Sequence, residues 1–158
     1  RRPEESGGLG QVGRPRPAGT LEGMDGRQQE QSPATGAVSV VLVEDHALLA
    51  ELLTDLLTDA GMLVLATATT QGDGHRAVTT HRPHVAVIDN ELPDGSGVDL
   101  CRSLSAEVPE VTLLLHTGST SRLETAAALE AGAAAVVLKT LRGDTLLAAI
   151  QAHGQRQL

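Results

Sequence analysis

The sequence predicts an α/β fold, a doubly wound five-stranded parallel sheet with helices on both faces. Three observations lead there. Five short apolar runs are rich in valine and continuous rather than alternating, as strands covered on both faces are. Between them, apolar residues recur at helical spacing. Strand and helix signals alternate five times from about Val38 to Gly154, the pattern of a parallel sheet with right-handed crossovers.

The elements follow in order. Val40 to Val43 reads as the first strand. Leu48, Leu49, Leu52, Leu53, Leu56 and Leu57 fall at helical spacing, and Gly61 follows as a stop. Met62 to Ala66 is the second strand. Thr70 to Thr80 is the least regular helix, with Gly72 and Gly74 near its start and Pro83 after its end. Val85 to Ile88 is the third strand, and Val98 to Leu104 the helix after it. Val111 to Leu115 is the fourth strand. Ser121 and Glu124 have the spacing of a capping box, opening a helix that Gly132 closes. Ala134 to Leu138 is the fifth strand and Thr145 to Ala152 the last helix. No internal repeat is present.

Residues 1–37 differ from the rest. They hold 8 of the 17 glycines and 4 of the 7 prolines, without apolar periodicity. Such a segment buries too little surface to offset its ordering entropy, so it is expected to be disordered. It contains no apolar core of a signal peptide, and Met24 offers an alternative start. The expected organisation is a disordered segment at 1–37, a folded domain at 38–154 and a tail at 155–158.

Charge divides along the same line. Five arginines balance five acids in residues 1–37, so the net charge of −8 falls on the remainder. An acidic domain does not grip a phosphate backbone, and no nucleic-acid binding is expected of it. No run reaches membrane-spanning length. The single cysteine, Cys101, can form no internal disulfide; it reads as a small core residue in a reducing compartment, the cytoplasm. There is no Phe, Tyr or Trp, so the core must be aliphatic.

Four runs end in polar residues suited to phosphoryl chemistry: Glu44-Asp45, Asp89, His116-Thr117, and Lys139, the only lysine. In an open parallel sheet those ends meet at one edge, where such folds bind ligands. Three carboxylates, a hydroxyl and an ammonium then share a pocket suited to a divalent cation and a phosphoryl group. His75, His81, His84, His116 and His153 show no dependable metal-ligand spacing.

Taken together, these residues resemble a response-regulator receiver domain of two-component signalling. The matching residues are Glu44-Asp45, Asp89, Leu92-Pro93, Gly97, Thr117 and Lys139, with 44, 28 and 22 residues separating Asp45, Asp89, Thr117 and Lys139. His46 after the acidic pair is similar to receivers of the NarL/LuxR class of transcription regulators. The resemblance implies a flavodoxin-like (βα)5 fold with strand order 2-1-3-4-5. It implies that Asp89 accepts a phosphoryl group as an acyl phosphate, with Lys139 and Thr117 bonding phosphoryl oxygens. Mg2+ is the implied cofactor, held by Asp45, Asp89 and the backbone carbonyl of Glu91, with Glu44 acting through a water. A sensor histidine kinase is the implied donor, and a homodimer the implied active form, in transcriptional regulation.

Some positions depart from the family. Val136 stands where many receivers carry a Tyr or Phe that changes rotamer on activation. Ala135, Gly118 and Thr140 replace a frequent Gly, Ala and Pro. Two other readings compete. A receiver-like scaffold that is never phosphorylated would fit the missing aromatics. A haloacid-dehalogenase-like phosphatase also uses a strand-end Asp, but carries a second Asp two residues later, where this chain has Glu91. The expectation is therefore a switch, not an enzyme.

Overall fold

The computed structural model describes residues 36–140 and 142–155. The expectations for the segment 1–35 and for 156–158 lie outside those residues. The elements are β1 (Ser39–Val43), α1 (Ala47–Asp59), β2 (Leu63–Ala68), α2 (Gln71–His81), β3 (Val85–Asp89), β4 (Glu91–Leu92), β5 (Gly95–Ser96), α3 (Gly97–Glu107), β6 (Thr112–Thr117), α4 (Arg122–Glu130), β7 (Ala135–Leu138) and α5 (Asp144–Gly154).

Five strands form one parallel sheet in the order β2-β1-β3-β6-β7. For the five principal strands this is the expected 2-1-3-4-5. β4 and β5 form a separate antiparallel hairpin of two residues per strand, pairing Glu91 with Ser96 and Leu92 with Gly95. The sequence did not announce it, because two-residue strands have no periodicity to read.

Successive residues of a strand face opposite sides of the sheet, and each side builds its own core. Val41, Val43, Ala86, Ile88, Leu113 and Leu115 pack with Val78 of α2, Leu100 and Leu104 of α3, and Ala128 of α4. Val40, Leu42, Val85, Val87, Leu114 and Val137 pack with Leu53 and Leu57 of α1 and Leu146 and Ile150 of α5. Cys101 is fully buried on the first side, where burial pushes its thiol up to about 12, and it is the small core residue expected.

Local chemistry sets the element ends. The expected capping box forms: Ser121 accepts from the Glu124 backbone N–H, and the Glu124 carboxylate accepts from that of Ser121. Thr70 and Ser96 cap α2 and α3 by accepting from the Asp73 and Asp99 N–H groups, without the return bond. α1 is capped by an imidazole, with His46 Nδ1 accepting from the Leu49 N–H. β2 starts one residue later than the apolar run suggested, because the Met62 N–H is already bonded to the Leu57 carbonyl at the exit of α1. α2 ends on Arg82 in the left-handed region (φ 44°), just before Pro83.

The β3 end is fixed by a close approach. A Cβ on Gly97 would lie 2.3 Å from the Asp89 carbonyl oxygen and 2.8 Å from Leu115 Cδ1, so only glycine lets α3 start there. This positions the backbone on which the site is built.

Candidate functional site

All four polar strand ends lie at the carboxyl edge of the sheet, as parallel strands dictate. Glu44 follows β1, Asp89 ends β3, Thr117 ends β6 and Lys139 follows β7. Glu44 and Asp89 are 2% and 4% exposed, whereas Asp45 is exposed. Because β1, β3 and β7 run in step, the side chains of Glu44, Asp89 and Lys139 continue the face that packs on α1 and α5.

Lys139 joins the acids. Its Nζ lies 3.0 Å from Glu44 Oε2 and 3.0 Å from Asp89 Oδ1. Glu44 Oε1 accepts from the His46 N–H at 3.1 Å, while Oε2 is sealed from water and held by the pairing with Lys139. Asp89 Oδ1 also accepts from the Glu91 N–H at 3.1 Å. Glu44, Asp45 and Asp89 each place a carboxylate oxygen within 4.8 Å of the others.

Electrostatics follow from that geometry. Burial raises Glu44 above the ordinary carboxylate range, against the opposing pull of Lys139 and of the His46 N–H. For Lys139 burial acts to lower the pKa, but hydrogen bonds and charge from Glu44 and Asp89 outweigh it, and the net shift is upward. The ammonium is therefore fixed as a cation. Three carboxyl groups converge beside one ammonium, a donor set rich in oxygen and in acidic groups that suits a divalent cation. The donor set and its charge fit Mg2+.

The cluster opens into a cavity of about 520 Å³, also lined by His46, Leu49 and Glu91. A groove of about 550 Å³ between α1 and β2, lined by Glu51, Thr54, Asp55 and Thr67, is slightly larger. It has no basic residue and no converging set of partners, so size alone does not mark the site.

Thr117 stands beside the cluster without joining its ion pairs. It is 5% exposed, and its hydroxyl accepts from the Ser119 N–H at 3.3 Å. Its carbonyl accepts from the Lys139 N–H at 2.7 Å, which ties the ends of β6 and β7 together. Glu91 is exposed, one residue beyond Asn90 in the hairpin, and lines the same cavity.

Two residues have surroundings that the sequence did not reveal. His116 pairs in register with Asp89 and is 4% exposed; its Nδ1 is buried without a hydrogen-bond partner. Burial, then the charge of Lys139, pushes its pKa down to about 4, with Asp89 pulling the other way. Only the strand register reveals that it lies beside Asp89. Asp94 lies in the hairpin turn, between Leu92 and Gly95. It is bonded to the start of α2, through the N–H groups of Gln71 at 2.6 Å and Gly72 at 3.0 Å.

Comparison with known proteins places these features beside a family model, a curated relative and solved structures. The family model for the response regulator receiver domain matches residues 40–151. The DNA-binding transcriptional activator DevR/DosR of Mycobacterium tuberculosis (strain ATCC 25618 / H37Rv) is 37% identical over 118 residues, which cover 74% of this chain and 54% of that protein. Among solved structures, a LuxR-family two-component response regulator from Aurantimonas sp. SI85-9A1 superposes with a TM-score of 0.72 at 26% identity, covering 77% of this chain and 87% of the other. A CheY-like receiver domain protein from Methanospirillum hungatei JF-1 gives 0.71 at 25% identity, covering 77% and 96%. The chain spans about half the length of the curated relatives it matches.

Proposed function

Because the chain belongs to the response regulator receiver domain family, we propose that it takes a phosphoryl group onto Asp89 and thereby switches an output surface. The observation behind this reading is the 3.0 Å contact of Lys139 Nζ with Asp89 Oδ1, beside the carboxylates of Glu44 and Asp45. Phosphoryl transfer depends on positioning and charge neutralisation, and this cluster offers both.

Each residue then has a task. Asp89 supplies the carboxylate oxygen that attacks phosphorus, forming an acyl phosphate while the donor's phosphorus–nitrogen bond breaks. Lys139 pairs with a phosphoryl oxygen as its contact with the Asp89 carboxylate is given up. The Thr117 hydroxyl, now engaged with the Ser119 N–H, turns to another phosphoryl oxygen. Asp45 and Asp89 with the Glu91 carbonyl would hold Mg2+, and Glu44 would act through a water. When bound, that ion offsets the excess negative charge and orients the phosphoryl oxygens.

The donor in this reading is a sensor histidine kinase, and the setting is the cytoplasm. Among the described residues no helix is long and apolar enough to cross a membrane. The name of the M. tuberculosis relative supports an output in transcription. The net charge of −8 supports an output by self-association instead of direct DNA contact by this domain.

The test is phosphorylation by acetyl phosphate, read by intact-protein mass spectrometry. One phosphoryl group is expected with Mg2+ and none with a chelator, and Asp89→Asn should take none. A parent protein that gains nothing would make it a scaffold. Multiple turnover on a phosphate ester would make it a phosphatase.

A further inference from the structure

The β4–β5 hairpin is held at both ends. At one end Asp89 Oδ1 accepts from the Glu91 N–H at 3.1 Å, and the Asn90 carbonyl accepts from the Gly97 N–H at 2.9 Å. At the other end the Asp94 carboxylate accepts from the first two backbone N–H groups of α2, at Gln71 and Gly72. The Gln71 side-chain amide returns a bond to the Ser96 carbonyl at 3.1 Å. Gly95 leaves room for that approach, since a Cβ there would lie 2.7–2.8 Å from the Gln71 amide.

α2 already has a local cap. Thr70 Oγ1 accepts from the Asp73 N–H, and the Thr70 carbonyl from that of Gly74. The two remaining orphan donors of the helix are taken by a residue more than twenty positions downstream. A carboxylate at a helix N-terminus is favoured by the backbone dipoles there. The same bonds hold the Asp94 carboxyl below its ordinary range, Gln71 first and then Gly72. α2 buries only Val78 and Gly74, so few apolar contacts compete with this polar grip.

We infer that Asp94 is a positioning residue for the phosphoacceptor site: by gripping the start of α2 it fixes the hairpin that presents Glu91 beside Asp89. The inference rests on the proposed function insofar as the Glu91 carbonyl is to meet Mg2+. Residues that orient a metal's ligands typically matter tenfold or more for affinity. A loop held at one end only would have to be ordered when the ion binds, and affinity would fall by that amount. The rate of phosphoryl transfer, once the ion is bound, would not.

The experiment uses the full chain and follows amide NMR shifts of Asp89–Gly97 during a Mg2+ titration. Asp94→Ala is expected to weaken Mg2+ binding about tenfold, while phosphorylation by acetyl phosphate at saturating Mg2+ stays within about twofold. Asp94→Asn loses the same charge but keeps an acceptor oxygen, and should recover most of the affinity. Equal weakening by Ala and Asn would assign the effect to charge and overturn the inference, as would an unchanged affinity in Asp94→Ala. Amide exchange without metal is the independent arm. In Asp94→Ala the Gln71, Gly72 and Glu91 N–H groups should all exchange faster. If parent protein binds no Mg2+, the proposed function fails, and the fate of the Glu91 N–H in this arm alone decides the role of Asp94.

Discussion

At the scale of single residues, His116 shows what it costs to place a polar group beside a charged site. Its imidazole is almost fully buried, and Nδ1 has no partner. The unfolded chain binds its proton near pH 6.5 and the folded chain only near 4. Between those values the unfolded state holds more protons, so stability rises with pH across the window and is lost as pH falls through it. At pH 5 the penalty from this one group comes to roughly 2 kcal/mol. Urea unfolding at pH 7 and pH 5 should show a steeper loss for the parent than for His116→Gln. Equal losses would mean that His116 charges freely in the fold. Gly97 illustrates the opposite constraint: its identity is fixed by the missing Cβ, because the Asp89 carbonyl occupies that space.

Under the proposed function, elements, not residues, decide how a signal would leave the site. Thr117 ends β6 and leads through Gly118, Ser119 and Thr120 into α4, all three of them exposed. α4 buries Ala128 alone within its span, and Leu123 is 85% exposed. The helix therefore commits little apolar surface to the core. On β7 the half-buried Val136 packs against the core on the α4 side, where an aromatic would fill space as Thr117 moved. A β-branched valine is too small and too restricted at χ1 to follow that movement. Coupling should then run through Thr117 and the 118–120 loop, giving a shallower two-state equilibrium. Amide exchange of Gly118–Gly132 with and without phosphorylation measures this, with Val136→Tyr beside the parent. A full, all-or-none change in the parent, unaltered by tyrosine, would show that the aromatic is dispensable.

On the scale of the whole molecule, the sheet concentrates like charge at one edge. Glu44 and Asp89 are buried there with a single ammonium between them, in a chain whose net charge is −8. A divalent cation would offset that negative excess, so Mg2+ is expected to stabilise the fold. At one hundred times its dissociation constant a ligand adds about 2.7 kcal/mol. Thermal unfolding followed by far-UV circular dichroism should show a higher Tm in Mg2+ than in sodium chloride of equal ionic strength. Asp89→Asn should blunt that response while raising the metal-free Tm, because it removes one of the repelling charges. A Tm indifferent to Mg2+ would exclude a cation at these carboxylates.

The architecture was legible because five valine-rich runs separated by helical spacing leave few parallel topologies. The site was largely legible too, because parallel strands bring their ends to one edge: Glu44, Asp45, Asp89 and Lys139 meet there, and Glu91 lines the cavity with them. Only tertiary structure decided the rest. The two-residue hairpin has no period, and Asp94 finds its partners twenty-two and twenty-three residues away. The burial of His116 directly beside Asp89 comes from the strand register, which a string of residues does not contain. The engagement of Thr117 with Ser119, outside the ion pairs, is equally a matter of side-chain direction. Local spacing encodes where strands and helices lie, whereas long-range hydrogen bonds and burial depend on which distant segments the packed sheet brings together.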